Sequence, residues 1–351
     1  MERFAIWICI TFVFSSVAVA NGQPPALKQP PHLTSDPDPL LNKSWHLNAI
    51  ETAKAWSISQ GSPEITVAVI DSGVDYNFPE LSANIKRKSY EPINGIDDDG
   101  NGFVDDLIGW DFVKSFYLPM DKTGHGTFMA YLIAGLLNNG IGGAGVCPRC
   151  SILPVRFINY EGMGDTEDAI KGIYYAISEG VSVINLSFAG EGYDKDLKAA
   201  IMAAEKKDIV VVVSAGNDGE NIEKASVYPA KFELPNQLTV TASTPTHTLM
   251  ENGSWSKRLV HVAAPGEEII GPWQGKWDDG SGTSQAAAIA AGVVGLVRSI
   301  APDLTANEVI RVLMETVTPS AKLKDKVISG GVINAAKAAA CASDKRHSCL
   351  R

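Results

Sequence analysis

Four short runs rich in β-branched residues constrain this chain more than any other feature. Ile65-Thr66-Val67-Ala68-Val69-Ile70 is the first, and residues 152–158, 181–186 and 209–213 follow. Runs of this length and composition predict strands buried on both faces, as in a parallel sheet. Helical patterns lie between them. From residue 165 to 179, Ala169, Ile170, Ile173, Tyr174 and Ile177 fall at helical spacing, and Gly180 marks a C-terminal stop. Residues 197–206 read as a second helix, and Thr305 with Glu308 forms a capping box that opens a late one. Alternating strand and helix imply an α/β fold: a doubly wound, mostly parallel sheet with helices on both faces. In such sheets functional groups gather at the carboxyl ends of the strands.

With 351 residues, 45% hydrophobic and 20% charged, the chain suits one large domain with short extensions. A formal net charge of −10, without a basic stripe, argues against a nucleic-acid partner. The beginning stands apart. Arg3 precedes an apolar run over residues 4–14, and small residues lead to Ala18-Val19-Ala20. This predicts a secretory signal over residues 1–20, cleaved after Ala20. An uncleaved membrane anchor is the alternative, disfavoured by Ser15 and Ser16. Residues 21–44 are expected to be a Pro/Asp-rich extended or mobile arm, 45–340 the domain and 341–351 a tail. The expected location is secreted or periplasmic, with no membrane association after cleavage. The expected state is a monomer.

Cys9 would leave with the signal. Cys147, Cys150, Cys341 and Cys349 remain, an even number in an exported chain, which suggests disulfides. Three pairings are open, and proximity favours Cys147 with Cys150 and Cys341 with Cys349. A four-thiolate zinc site is the rival reading. The second pair has the wrong spacing for a ribbon or finger.

Four residues carry candidate chemistry. Asp71 follows the first strand directly, at the sheet's functional edge. His125 stands in Gly124-His125-Gly126-Thr127, ahead of an apolar helical pattern, where flanking glycines let other groups approach the imidazole. Ser284 stands in Gly282-Thr283-Ser284-Gln285, ahead of an Ala/Val-rich helix, where free backbone N–H groups favour developing negative charge. Asn217 closes the run that ends Ser214-Ala215-Gly216-Asn217. Each alone also fits a bland role: a turn, a helix cap or a packed histidine.

Asp, His and Ser in that order, each in its own glycine-bearing motif, resemble the subtilisin-like serine proteases, from about Trp45 to about Ala336. The resemblance implies the subtilisin-like form of the doubly wound fold and an Asp71–His125–Ser284 triad. Asn217 would be the oxyanion donor, with Ser214 and Gly216 beside it at the substrate. It also implies that Ser187-Phe188-Ala189-Gly190 pairs with substrate backbone, so the partners would be polypeptides. Ala189 stands where that family usually has glycine, Phe128 where it has histidine, Gln285 where it has methionine and Ala288 where proline is frequent. None of these carries a proton in the mechanism. The stretch between signal and catalytic pattern is too short for a folded inhibitory prodomain, which needs roughly 40 residues. An idle binding fold, or an esterase or ligase using the same acyl-enzyme, are the competing functions.

Two loops suggest structural calcium and no organic cofactor is implied. In Asn94 to Asp106, the residues Asp97, Asp99, Asn101 and Asp105 alternate with turn-forming glycines, a hard-oxygen set that suits calcium. Ile108 replaces the Glu an EF-hand needs, so the likeness is to a calcium loop found in the family. A second family loop is matched by residues 137–143. There the resemblance implies Asn139 and Glu80 as side-chain ligands, with carbonyls of Leu137, Ile141 and Gly143.

Overall fold

Successive residues of the first buried run point into different halves of the core. Val67 and Val69 pack in one hydrophobic cluster, and Ala68 and Ile70 in the other. This is the two-residue period of a strand covered on both faces. The structure, a computed structural model, describes residues 5–7, 26–28, 36–344 and 348–350. Cys9 and the expected cleavage site after Ala20 lie outside those residues.

In chain order the strands are β1 Ala5–Trp7, β2 Thr66–Asp71, β3 Trp110–Asp111, β4 Ser151–Arg156, β5 Met163–Asp165, β6 Val183–Leu186 and β7 Ala189–Gly190. They continue with β8 Val210–Ser214, β9 Gln237–Ser243, β10 Val262–Pro265, β11 Ile269–Trp273, β12 Lys276–Gly280, β13 Thr318–Pro319 and β14 Gly331–Val332. The helices are α1 Trp45–Ala49, α2 Thr52–Trp56, α3 His125–Ala134, α4 Thr166–Ser178, α5 Lys195–Glu205, α6 Thr283–Ile300, α7 Ala306–Glu315 and α8 Ala335–Ser343.

The main sheet has the order β13-β14-β10-β9-β8-β6-β2-β4-β3 and is parallel except at the β13–β14 edge. Helices α3 and α6 cover the face that holds Val67 and Val69, and α4 and α5 cover the other. The doubly wound expectation therefore holds. Helix α6 is long and apolar enough to cross a membrane, but it is the central core helix, with 89% of its apolar window buried. Its buried run from Thr283 to Arg298 leaves its N-terminal end at the sheet's carboxyl edge.

Helix starts follow their caps. Asp165 accepts from the Glu167 amide and opens α4, and the expected capping box at Thr305 and Glu308 is formed. Asp194 accepts from the amides of Asp196 and Leu197, which starts α5 at Lys195, ahead of the apolar pattern. Helix α8 runs through Ser343, so Cys341 belongs to the last helix rather than to a tail. The cysteines pair locally as proximity favoured, Cys147 with Cys150 and Cys341 with Cys349. The described parts of the arm lie on the domain: Asn77 bonds to Ala26 and Lys28, and the Leu40 amide donates to the Gly142 carbonyl at 2.6 Å.

Beyond the sheet's edge, β5 and β7 flank a cleft. The chain's own β1 lies between them and pairs antiparallel with both: Ile6 is opposite Gly164 and Gly190, and Trp7 is opposite Met163 and Ala189.

Candidate active site

Asp71 ends β2 with the same side-chain phase as Val67 and Val69, so its carboxylate faces α3. His125 is the first residue of α3. Its Nδ1 lies 2.7 and 2.9 Å from the two Asp71 oxygens, and both side chains are buried. An ionised carboxylate only accepts, so the pair places the ring proton on Nδ1 and leaves Nε2 as the basic end. Asp71 Oδ1 also accepts from the Ser72 amide at 2.7 Å. The glycine after His125 is required by space: a Cβ on Gly126 would stand 2.0 Å from the Gly73 carbonyl oxygen. Two further histidines, His46 and His261, are buried. Burial lowers their pKa to about 3 and about 4, so both remain neutral in the core.

Asp121 holds the start of α3 in place, a role not read from the sequence. Its Oδ1 accepts from the amides of Thr123 and Gly124 and from the hydroxyls of Thr123 and Ser72. Its Oδ2 accepts from the Thr127 amide and hydroxyl. Ser72 in turn accepts from the Gly126 amide at 3.0 Å. A buried carboxylate thus clamps both sides of His125. Its signal was an Asp four positions before the histidine, easily passed over as a turn residue.

Ser284 is the second residue of α6. Its Oγ donates to the Ser187 carbonyl at 3.1 Å, while among the described residues buried His125 Nε2 has no hydrogen-bond partner. Ser187 returns a bond from its own hydroxyl to the Ser284 carbonyl at 3.0 Å. These bonds lock the end of β6 against α6. Asn217 is oriented by Thr283, whose amide and hydroxyl donate to Asn217 Oδ1 at 2.8 and 3.0 Å. With Oδ1 engaged, Nδ2 is the donor end of the amide. A Cβ on Gly282 would lie 3.5 Å from that Nδ2, so the absent side chain leaves space beside the donor.

A cavity of about 230 Å³ adjoins Ser284 and Asn217, and Ser187, Phe188, Ala189, Gly190, Ser214 and Gly216 all line it. Two of the four chemical candidates, Ser284 and Asn217, and all six expected substrate-binding residues therefore meet at one cavity, while Asp71 and His125 pair at the start of α3, which packs on α6. The Phe188 ring packs on Phe157 with centroids 4.8 Å apart, inside the core.

The profile described as Subtilase family matches residues 62–332, most of the chain. The chain belongs to the subtilase family. It is 35% identical over 251 residues to thermitase of Thermoactinomyces vulgaris, covering 71% of this chain and 80% of that one. It is 30% identical over 336 residues to subtilisin-like protease 1 of Plasmodium berghei (strain Anka), covering 90% of this chain and 56% of the relative. It thus spans little more than half the length of that relative. Among solved structures, a protease from Pseudoalteromonas arctica PAMC 21717 superposes with a TM-score of 0.73 at 26% identity, covering 88% of this chain and 100% of that one.

In this subtilase the two expected calcium loops differ in character. Glu80 is fully buried, and among the described residues no donor other than the Asn139 side chain approaches its carboxylate. Burial, and then the charge of Asp38, raises its pKa to about 8, with the Asn139 side chain opposing weakly. Asp38 Oδ1 accepts from the amides of Asn139 and Gly140, and Oδ2 from Asn138. Among the described residues neither acid has an ion-pair partner. Two carboxylates and an amide oxygen source around orphaned buried atoms fit a hard divalent cation. Asp38 sits in the arm, far in sequence from the loop, and had no local signal.

In the loop of residues 94–106 the carboxylate oxygens that converge belong to Glu91, Asp99 and Asp106, within 4.8 Å of one another. Of the expected ligands, Asp99 belongs to this group. Asp97 accepts from the amides of Gly100, Asn101 and Gly102, and Asp105 from those of Asn94 and Gly95. Asn101 donates its side-chain amide to Asp99 and Asp106. The Lys88 ammonium is buried here and contacts Asp99, Asp106 and Glu179. Burial alone would lower its pKa, but those carboxylates more than offset this and raise it. A charged lysine therefore already neutralises part of this acidic group.

Proposed function

We propose that this subtilase is a secreted serine endopeptidase that hydrolyses polypeptides through an acyl-enzyme on Ser284. The observation that carries the reading is the buried, hydrogen-bonded Asp71–His125 pair on a helix that packs against α6, whose first turn brings Ser284 to a cavity shared with Asn217, next to strands that accept an antiparallel partner. The backbone pairing of β1 with β5 and β7 supports peptide as substrate, because main-chain bonds of this kind recognise extended chains irrespective of side chain.

Ser284 Oγ turns from the Ser187 carbonyl toward His125 Nε2 and attacks the scissile carbonyl. His125 takes the proton and later delivers it to the leaving amine. Asp71 holds the imidazole and stabilises its charged form. Asn217 Nδ2 and the backbone N–H at the start of α6 hold the oxyanion. Water then repeats the sequence on the acyl-enzyme. Glu80, Asp38 and Asn139 would hold a calcium ion that ties the arm to the 137–143 loop and supplies rigidity rather than chemistry. Secretion rests on the N-terminal signal pattern.

Digestion of casein by the purified protein, with Ser284→Ala as control, tests the proposal. Peptide products from the native chain alone are expected. Equal digestion by both proteins, or none by either, contradicts it.

A further inference from the structure

The cavity beside Ser284 carries charge that the proposed reaction does not use. Glu191 follows directly on β7, and Asp218 follows Asn217 on the facing wall; both line the cavity and both are exposed. Their walls are fixed. Gly190 and Tyr228 exchange backbone bonds of 2.9 Å, and the Asp218 and Gly219 amides donate to Ser254 and Asn252. Among the described residues neither carboxylate has a hydrogen-bond or ion-pair partner, and no Lys, Arg or His lines the cavity.

The same lining includes apolar side chains. Ala189 presents a methyl group where a bare backbone would be flat, and Val227 closes the far side, its Cγ1 lying 3.3 Å from where a Cβ on Gly216 would stand. Two exposed carboxylates beside apolar groups such as Ala189 and Val227 match a side chain with an aliphatic stem and a cationic end. An acidic side chain is repelled.

We infer that this cavity selects lysine or arginine immediately before the scissile bond, with Glu191 and Asp218 as the residues that set the preference. The inference rests on the endopeptidase reading and deepens it.

The experiment compares kcat/KM on fluorogenic peptides that differ only at that position, Arg or Lys against Gln or Met. Native enzyme, Glu191→Gln, Asp218→Asn and the double variant are used. In the native enzyme Arg is expected to exceed Gln by about tenfold at low salt, and by less at high salt as exposed charges are screened. Each single variant lowers the Arg-to-Gln ratio, and the double variant brings it to about one. The ratio is taken within each protein, so differences in folded fraction cancel. A native ratio near one, or a ratio the double variant retains, overturns the inference. A fluorophosphonate probe on the same preparations reports separately on the serine-hydrolase reading: labelling of native enzyme with no preference for basic peptides sinks the specificity alone.

Discussion

Ser284 Oγ bonds to the Ser187 carbonyl at 3.1 Å, and buried His125 Nε2 has no hydrogen-bond partner among the described residues. The nucleophile and its base are thus held on separate partners, while the base and its orienting acid are already joined at 2.7 Å. Catalytic bonds that are long or unmade without substrate are common and tighten on binding. A peptide seated beside Ser187 would compete for this bond and release the serine toward His125.

If Asp71 sets the tautomer of His125, Asp71→Asn leaves the fold intact and lowers kcat by about 10⁴-fold at neutral pH. The asparagine can donate to Nδ1 and so favours the wrong tautomer. Circular dichroism and steady-state kinetics check this together. A loss below tenfold would remove Asp71 from the mechanism.

Asp121 should act through position alone. Asp121→Ala frees the start of α3 and is expected to lower kcat on the order of 10²-fold with KM changed much less, as for a misplaced catalytic group. Asp121→Asn keeps the oxygen that serves one side of the clamp and recovers part of the rate. Loss of thermal stability without any change in kcat of the folded fraction would show that the clamp is structural only.

The Glu80 pocket predicts a reversal of sign. With calcium present the native chain is stabilised by binding to the folded state, about 2.7 kcal/mol at a hundredfold excess over Kd. In EDTA the same pocket holds a buried acid whose raised pKa makes it take up a proton near neutral pH, which is destabilising. Glu80→Gln should therefore melt below the native protein in calcium and at or above it in EDTA. Melting curves that keep the same order in both buffers would contradict calcium at this pocket.

Ala189 narrows the cavity, and Ala189→Gly should widen it. Overfilling a packed site by a methylene costs about 1–3 kcal/mol, or roughly 10–200-fold in selectivity. The glycine variant is expected to gain selectively on peptides with Phe or Tyr before the scissile bond. Equal gains on every substrate, or a native preference for Phe, would reject the idea. The Phe188 ring, engaged with Phe157, does not offer an alternative wall.

The sheet and the four chemical residues were legible because their signals are local. β-branched runs name β2, β4, β6 and β8, and each of Asp71, His125, Asn217 and Ser284 stands within two residues of a glycine. Strands β3, β5 and β9 to β14 were not read; the short or charged ones, such as Lys276–Gly280, owe their form to pairing rather than to composition. Asp38 and Lys88 were missed for a related reason. Each acts on groups brought near only by the fold, Asp38 on the 138–140 amides and Lys88 on Glu179. Asp121 was nearer to view, but its meaning depends on Ser72, across the chain.

Covalent labelling of the catalytic serine tests the central claim most directly. Native protein treated with a fluorophosphonate probe, digested and mapped by mass spectrometry should carry the label on Ser284. Labelling should vanish in Ser284→Ala and slow strongly in His125→Ala. Native protein that is folded yet unlabelled, or a label that persists in Ser284→Ala, would contradict the account.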